Sequence, residues 1–510
     1  MGTLPARLAP MITRRQALTL LLTSAGTVLV RRRAEGQSTR PIPSNALNIL
    51  FVMTDDQRAD ALSIAGNAIL RTPNIDRIGL DGIRFTEFFV TNSLCAPSRA
   101  TFYTGLYSHV HGVLTNGSGE VNRNQSGLRR DQMTFVDLLH QAGYETALVG
   151  KWHLRSEPSG FDQWIILPGG GGPYIDPPMT ANGMKVKFRG YADDVVGDQT
   201  LFYLQNRAKE RPFCLLMNFK APHRNWIPAP RYAHEFEGVE IPLPRTFEDK
   251  FEGRPEALRK TDMAVADMPD FKDRGVPEAL PREERKKRNL QELVRNYYRT
   301  LLSVDENVGR VLEFLDKNDL AKNTVVFFTS DNGFFLGEHG LFDKRLMYEP
   351  SIRVPLLVRH PGRIPAGTVD GKDMVLNIDI APTILELAGI PILPAMQGRS
   401  FVPLLEGKSE PWRDTFLYEY YEFPDADHCV RKNRGVRTAR WKLIQFWEQP
   451  QEWELYDLQN DPDEIHNLAG RADHAKVMTE LRARLEQLRK QTGDSDPPGP
   501  PPVAMQCHGR

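Results

Sequence analysis

Four short apolar runs in this chain end in polar clusters whose residue types could do chemistry together. NILFVM (48–53) runs into Thr54, Asp55, Asp56 and Gln57, and ETALVG (145–150) into Lys151, Trp152 and His153. FCLLMNF (213–219) runs into Lys220, Ala221, Pro222 and His223, and TVVFFTS (324–330) into Asp331, Asn332 and Gly333. Any one alone reads as a turn, since Asp-Asp and Asp-Asn-Gly are ordinary turn sequences. Four together, each ending a predicted strand, point to a site, because open parallel sheets bind ligands at that edge. Asp55, Asp56, Asp331 and Asn332 offer hard oxygen ligands, a set suited to calcium or magnesium rather than to zinc. Three crowded carboxylates repel one another unless a divalent cation neutralises them. Arg99, Lys151 and Lys344 add fixed positive charge, and His153 and His223 can move protons near neutral pH. The set suits an oxyanion ester.

SLCAPSRATFYTG (93–105) adds Cys95, which by itself reads equally as a thiol nucleophile, a disulfide partner, buried filler or the precursor of another group. Cys214 lies in an apolar run and reads as filler. Cys429 and Cys507 lie in polar surroundings, and nothing in the sequence pairs them. His109 and His111 have metal-like H-x-H spacing, but with no acidic or cysteine partners nearby in sequence they read as structural or pocket-wall residues. The glycine run 169–172 matches no nucleotide-binding pattern and reads as a mobile loop over the site. GEHG around His339 reads as a loop shaping the pocket.

The elements that must position these residues follow from the apolar pattern. The four runs, with PLLVRH (355–360), are compact and rich in β-branched or aromatic residues, as buried strands of a largely parallel sheet are. DQMTFVDLLHQAG (131–143) and the segment 297–320 carry helical spacing between them. Strands alternating with helices predict an α/β fold, a large, mixed, mostly parallel sheet flanked by helices. Composition shifts near residue 405, and a smaller α+β subdomain is expected over 406–492, with one amphipathic helix at 474–492. Residues 235–290 are charged and aperiodic and read as an excursion loop. Residues 493–510 read as a Pro-rich disordered tail.

Lys plus Arg and Asp plus Glu number 65 each, so no global field steers the chain toward nucleic acid. Four cysteines in 510 residues exclude a disulfide scaffold. MITRRQALTLLLTSAGTVLV places Arg14 and Arg15 before an apolar stretch too short to span a bilayer. Residues 1–36 read as a twin-arginine export signal, and no later stretch reaches membrane-spanning length. A periplasmic or extracellular protein is expected.

CAPSRATFYTG, GKWHL, APH, TSDNGFFLGEHGLFDKRLMYE and the early DDQ together resemble the type I sulfatases of the alkaline-phosphatase superfamily. The resemblance runs from about residue 47 to 470, with a catalytic domain at 47–405. Phe102 stands where the family signature usually has leucine. The resemblance implies that a maturation enzyme oxidises Cys95 to Cα-formylglycine. Hydrated, that residue is a geminal diol, and one hydroxyl attacks sulfur while the other later releases sulfate. It further implies calcium on Asp55, Asp56, Asp331 and Asn332, with the modified Cys95 near the metal. Arg99 matches the residue that holds the diol, His153 the base for elimination and Lys151 a sulfate clamp. His223 and Lys344 match the groups facing the leaving oxygen.

The reading is a sulfuric ester hydrolase acting on a sulfated carbohydrate. Its alternatives are a phosphonate or phosphodiester hydrolase of the same superfamily, and a non-catalytic glycan-binding protein on the same scaffold. DKRLMYEPSIRVPLLVRHPGRI and the segment 418–444 resemble bacterial N-acetylglucosamine-6-sulfatase-like enzymes. There a basic strand at 428–442 predicts a sugar-contacting rim, with His428 and Arg431 as its first candidates.

Overall fold

The computed structural model describes residues 46–117, 125–423, 427–448 and 450–495. The expected export signal (1–36) and all but three residues of the expected tail (493–510) lie outside them. Among the described residues no helix is long and apolar enough to cross a membrane.

Ten strands form one sheet. In chain order they are β1 (Asn48–Thr54), β2 (Ile83–Phe85), β3 (Glu145–Lys151), β4 (Gln163–Leu167), β5 (Pro178–Ala181) and β6 (Met184–Lys187). They continue with β7 (Phe213–Asn218), β8 (Thr324–Ser330), β9 (Leu356–Arg359) and β10 (Thr368–Asp370). Across the sheet the order is β10-β2-β9-β8-β1-β7-β3-β4-β5-β6. The central strands β8, β1, β7, β3 and β4 are mutually parallel, so their carboxyl ends share one edge. β9, the PLLVRH run, pairs antiparallel with β8 and makes the sheet mixed.

The central strands read as unbroken apolar runs because both faces are buried. In β1, Ile49, Phe51 and Met53 enter one core while Leu50 and Val52 enter the other. Val325 and Phe327 of β8 divide from Val326 and Phe328 in the same way. At the functional edge β3 and β7 approach closely at Gly150, where a Cβ would lie 1.8 Å from the Asn218 carbonyl oxygen. Only glycine fits there.

Two expectations need correcting. The helix expected from residue 297 begins fifteen residues earlier, as α5 (Arg282–Lys317), numbered after α1 (Pro73–Leu80), α2 (Cys95–Thr104), α3 (Phe135–Gln141) and α4 (Ala192–Asn206). Its first two turns are almost wholly charged, so apolar spacing is silent there, but Glu, Arg and Lys are good helix formers. The segment 235–290 is not a solvent-facing excursion. It buries Phe247, Phe251, Met263, Val265 and Phe271, and Arg254 donates to Tyr348 Oη at 2.8 Å. Side-chain-to-backbone bonds hold it, which periodicity cannot detect.

A four-stranded antiparallel sheet follows: β11 (Thr415–Tyr420), β12 (Asn433–Thr438), β13 (Trp441–Phe446) and β14 (Glu452–Asp457). The last helix, Ala475–Thr492, packs on it through Met478, Leu481 and Leu485. Phe416, Val436 and Leu443 join the same core as Ile49 and Phe51, so the small sheet shares the main core. Cys429 is disulfide-bonded, and Cys507 lies outside the described residues.

His109 ties these parts together. Its Nδ1 lies 2.6 Å from Glu419 of β11, and its Nε2 lies 3.0 Å from the Thr492 carbonyl. Burial disfavours the imidazolium, but the bond to Glu419 and its charge outweigh that and lift the group to about 9. His111 instead sits buried between Thr101 Oγ1 and the Val113 N–H, so the H-x-H pair is structural. The His109 contribution is complete below its ordinary value of 6.5 and is lost as pH rises through about 9. His109→Ala should therefore lower stability by about 1–3 kcal/mol at pH 6. The gap to wild type should close above pH 9, read by denaturant titration at both pH values.

Candidate active site

The polar endings of β1, β3, β7 and β8 converge. Asp56 N–H donates to Asp331 Oδ1 at 3.1 Å, Asp331 N–H to the Thr54 carbonyl at 3.2 Å and Asp55 N–H to the Ala221 carbonyl at 3.1 Å. The strand ends are thus bound to one another just past the sheet. Asp56 (φ 72°) and His153 (φ 60°) both leave the sheet in the left-handed region, a conformation that concentrates at functional sites.

The segment that bears Cys95 enters as α2. Leu94 is its N-cap, and Pro97 fits the first turn, where no intrahelical N–H bond is required. All ten residues of α2 are buried. Its N-terminus faces the carboxylates: Cys95 Sγ lies 3.5 Å from Asp55 Oδ1, and Ser98 Oγ donates to the Asp331 carbonyl. Cys95 is free of disulfide, and burial pushes its thiol well above the ordinary range. A thiol held in the neutral form is a poor nucleophile.

Each carboxylate has a buried cation. Lys151 Nζ contacts Asp55, Arg99 Nε donates to Asp331 Oδ2 at 2.8 Å, and Lys344 Nζ donates to both Asp56 oxygens at 2.6 and 2.7 Å. Burial opposes the charge on Asp55, yet Lys151, with His223, Arg99 and Lys344 behind it, holds its carboxyl well below the usual range. Asp56 goes the other way, to about 7, because burial and the charges of Asp55 and Asp331 outweigh Lys344. Asp331 is raised by burial and by Asp55. One carboxylate is thus stabilised at the expense of two others.

The donor set fits a hard divalent cation. Asp55, Asp56, Asp331 and Cys95 each present an atom within 4.8 Å of the others. Asn332 adds a buried Oδ1 with no hydrogen-bond partner, while its Nδ2 donates to Asp56. An orphaned buried acceptor beside three crowded carboxylates is what a cation would satisfy.

Both histidines are held neutral by burial: His153 with Lys151 as the next cause, and His223 with Lys151 and Lys344 acting against Asp55. His153 Nδ1 is buried and unpartnered. His223 Nε2 stands 3.8 Å from Asp56 Oδ2, too far for a hydrogen bond, and its side chain is 25% exposed. It and His153, which is also half-buried, mark the open side of an otherwise closed cluster. The glycine loop flanks both histidines' strands: a Cβ on Gly170 would lie 3.5 Å from His153 Nε2, and one on Gly171 would lie 3.3 Å from Lys220.

Ten of the twelve residues singled out from sequence are therefore gathered here. His428 lies at the margin, with Nε2 3.2 Å from Asp343 Oδ2, next to Lys344 in the chain. Arg431 is not gathered in: its guanidinium donates to Glu452 at 2.8 Å and to the Glu448 and Pro450 carbonyls. The rest of the expected basic rim is likewise committed, Arg437 to Glu87 and Arg440 to Asp457. Two residues of the site were not foreseen. Asn218 Nδ2 donates to the Lys151 carbonyl and to Tyr103 Oη, both at 2.9 Å. Lys220 is buried under the glycine loop with Nζ 4.5 Å from the Tyr174 ring centre, and burial followed by Lys151 lowers it to about 8. Its place in the same strand ending as His223 was the available signal.

A sulfatase family model matches residues 47–390, and a model for the C-terminal region of N-sulphoglucosamine sulphohydrolase matches residues 337–491. An N-acetylglucosamine-6-O-sulfatase from Bacteroides thetaiotaomicron is 41% identical, covering 88% of this chain and 87% of its own. A human N-acetylglucosamine-6-sulfatase is 31% identical, covering 88% of this chain and 85% of its own. A protein solved with its substrate D-glucosamine-2-N,6-O-disulfate superposes with a TM-score of 0.81 at 39% identity, over 89% of this chain and 99% of its own. With its buried carboxylates, matched cations and helix-borne Cys95 on a mixed α/β sheet, the chain belongs to the sulfatase family and is a sulfuric ester hydrolase.

Proposed function

We propose that the enzyme removes the 6-O-sulfate from a glucosamine-type unit of a sulfated glycan. The assignment of class rests most on one observation: Cys95 sits at a buried helix N-terminus among three carboxylates and three cations, as a thiol that burial keeps from ionising. The sugar is supported by the 41%-identical N-acetylglucosamine-6-O-sulfatase and by the relative solved with glucosamine disulfate. Oxidation of Cys95 to formylglycine by a maturation enzyme supplies a diol nucleophile in place of the thiol. Calcium on Asp55, Asp56, Asp331 and Asn332 supplies charge that lets three carboxylates coexist with a bound sulfate.

The chain's own groups divide the remaining work. Arg99 is anchored by Asp331 and the Lys151 carbonyl, so its free Nη2, buried and unpartnered, can orient the group on residue 95. Lys151 and Lys344 offer fixed positive charge to the sulfate oxygens. His153, neutral with Nδ1 unpartnered, can accept a proton during release of sulfate. His223, on the open side, is placed to give a proton to the leaving sugar oxygen, and an arriving sulfate anion favours its charged form. We further propose export by the twin-arginine route, with residue 95 modified before export.

Five measurements test this. Enzyme made without the maturation activity should fold yet lose at least about 1,000-fold in turnover. Mass spectrometry of active enzyme should find the peptide around residue 95 lighter than its cysteine form; full activity with unmodified Cys95 overturns the mechanism. Asp331→Ala should lose bound calcium by elemental analysis and about 100-fold or more in kcat while remaining folded; full calcium content in the variant contradicts the ligand set. His223→Ala should cost sugar sulfates about 100-fold and aryl sulfates with good leaving groups far less. Equal losses would assign His223 a different role. Faster turnover of phosphonate monoesters than of any sugar sulfate would displace the substrate reading.

A further inference from the structure

The sheet ends in an unpaired edge whose charge differs from everywhere else on the surface described above. β6 is the outermost strand of the ten. Val186 and then Phe188 turn inward onto a small core with Ile165, Met179 and Val195. Strand alternation sends Lys185 and Lys187 to the opposite side, Arg189 follows two residues past the strand, and all three are exposed. Residues 177–190 carry these three cations and no Asp or Glu, in a chain whose charges balance overall at 65 each. Among the described residues none of the three has an ion-pair partner, unlike Arg431, Arg437 and Arg440 of the small sheet. At a strand rise of about 3.3 Å per residue the row extends over roughly 13 Å.

This row is joined to the open side of the active site by a short run of packed groups. Gly190, beside Arg189, accepts from Asp176 N–H and donates back to Asp176 Oδ1, both at 2.8 Å. Tyr191, next along, stacks on Tyr174 with ring centres 5.5 Å apart. Tyr174 Oη donates to the His223 carbonyl at 2.6 Å. His223 is, with His153, a partly exposed member of the cluster, and the leaving sugar oxygen faces it in the proposed chemistry. β6 also runs parallel to β3, so the chain leaves it toward Arg189 at the same edge of the sheet where Lys151 and His153 leave β3.

We infer that Lys185, Lys187 and Arg189 form a second binding surface for the anionic units adjacent to the sugar whose sulfate is removed. The occupant is a polyanionic saccharide chain, carrying carboxylates or further sulfates, and the inference rests on the sugar assignment proposed above. Exposed cations attract such a chain over several ångströms and raise its local concentration at the site. They act on long substrates only, because a monosaccharide does not reach the edge. Lysines on an edge strand also discourage pairing with a second sheet. A charge-reversed edge keeps that protection and so separates the two roles.

The test uses full-length, matured enzyme and the variant Lys185→Glu/Lys187→Glu/Arg189→Glu, with Arg189→Glu alone as a milder second variant. On a heparin-derived octasaccharide at low salt, kcat/KM should fall about 10-fold or more in the triple variant and should approach wild type at high salt. Turnover of a 6-O-sulfated monosaccharide should stay within twofold, which also reports an intact fold. Unchanged octasaccharide turnover, or equal loss on both substrates by both variants, overturns the inference. If wild type hydrolyses neither substrate, the sugar assignment itself fails. The surface is then judged by octasaccharide binding, where equal affinity of wild type and variant overturns it.

Discussion

Burying three carboxylates within a few ångströms of one another carries an electrostatic cost that the surrounding structure must offset. Here Lys151, Arg99 and Lys344 each take one, and each arrives from a different part of the chain: the end of a strand, a buried helix and the loop after β8. Removing one charge leaves its partner uncompensated, so the cluster stands or falls as a unit. That constraint explains why Arg99 and Lys151 are wholly buried, rare for such residues. It also explains the division among the acids. Asp55 keeps a firm negative charge, while Asp56, with Asp331 and Asp55 against it, sits near 7 and is ready to respond to added positive charge.

The sheet supplies the geometry that this pairing demands. Parallel strands deliver their carboxyl ends to a common edge, so residues far apart in sequence meet without long connections. Asp56 and Asp331, 275 residues apart, are joined by a backbone-to-carboxylate bond. The strain at Asp56 and His153 is stored where the backbone turns off that edge, and neighbours hold it there, among them Tyr297, whose Oη donates to the Asp56 carbonyl at 2.6 Å. Of the ten clustered residues, only His153 and His223 are partly exposed.

Much of this was legible in sequence because strand endings are local. NILFVM followed by Asp-Asp, and TVVFFTS followed by Asp-Asn, announce both the strand and the chemistry at its end. The helix α5 was read only from 297 onward, where apolar residues repeat, since its charged first turns carry propensity but no period. The segment 235–290 was misjudged because its order comes from contacts such as Arg254 with Tyr348 and Glu464, partners about 100 and 200 residues away. Arg431 was misplaced for a related reason. A basic run looks like a binding surface until its acids, Glu452 among them, are known to lie opposite. Asn218 and Lys220 show the converse: their roles depend on which strands are neighbours.

The cover over α2 has a temporal side. Ser93, two residues before Cys95, shares a hydrogen bond with Tyr418 Oη across 325 positions of chain, and Ser98 receives one from Asn377 across 279. During synthesis those covering residues do not yet exist when residue 95 leaves the ribosome. At about 5–20 residues per second, Tyr418 follows roughly 15–65 seconds later. In the folded chain Cys95 is wholly buried, and Tyr418 of the small sheet is among the last residues made that fasten its segment. The order in which the chain is made thus sets a deadline for any enzyme that must act on Cys95, and a slower ribosome extends it.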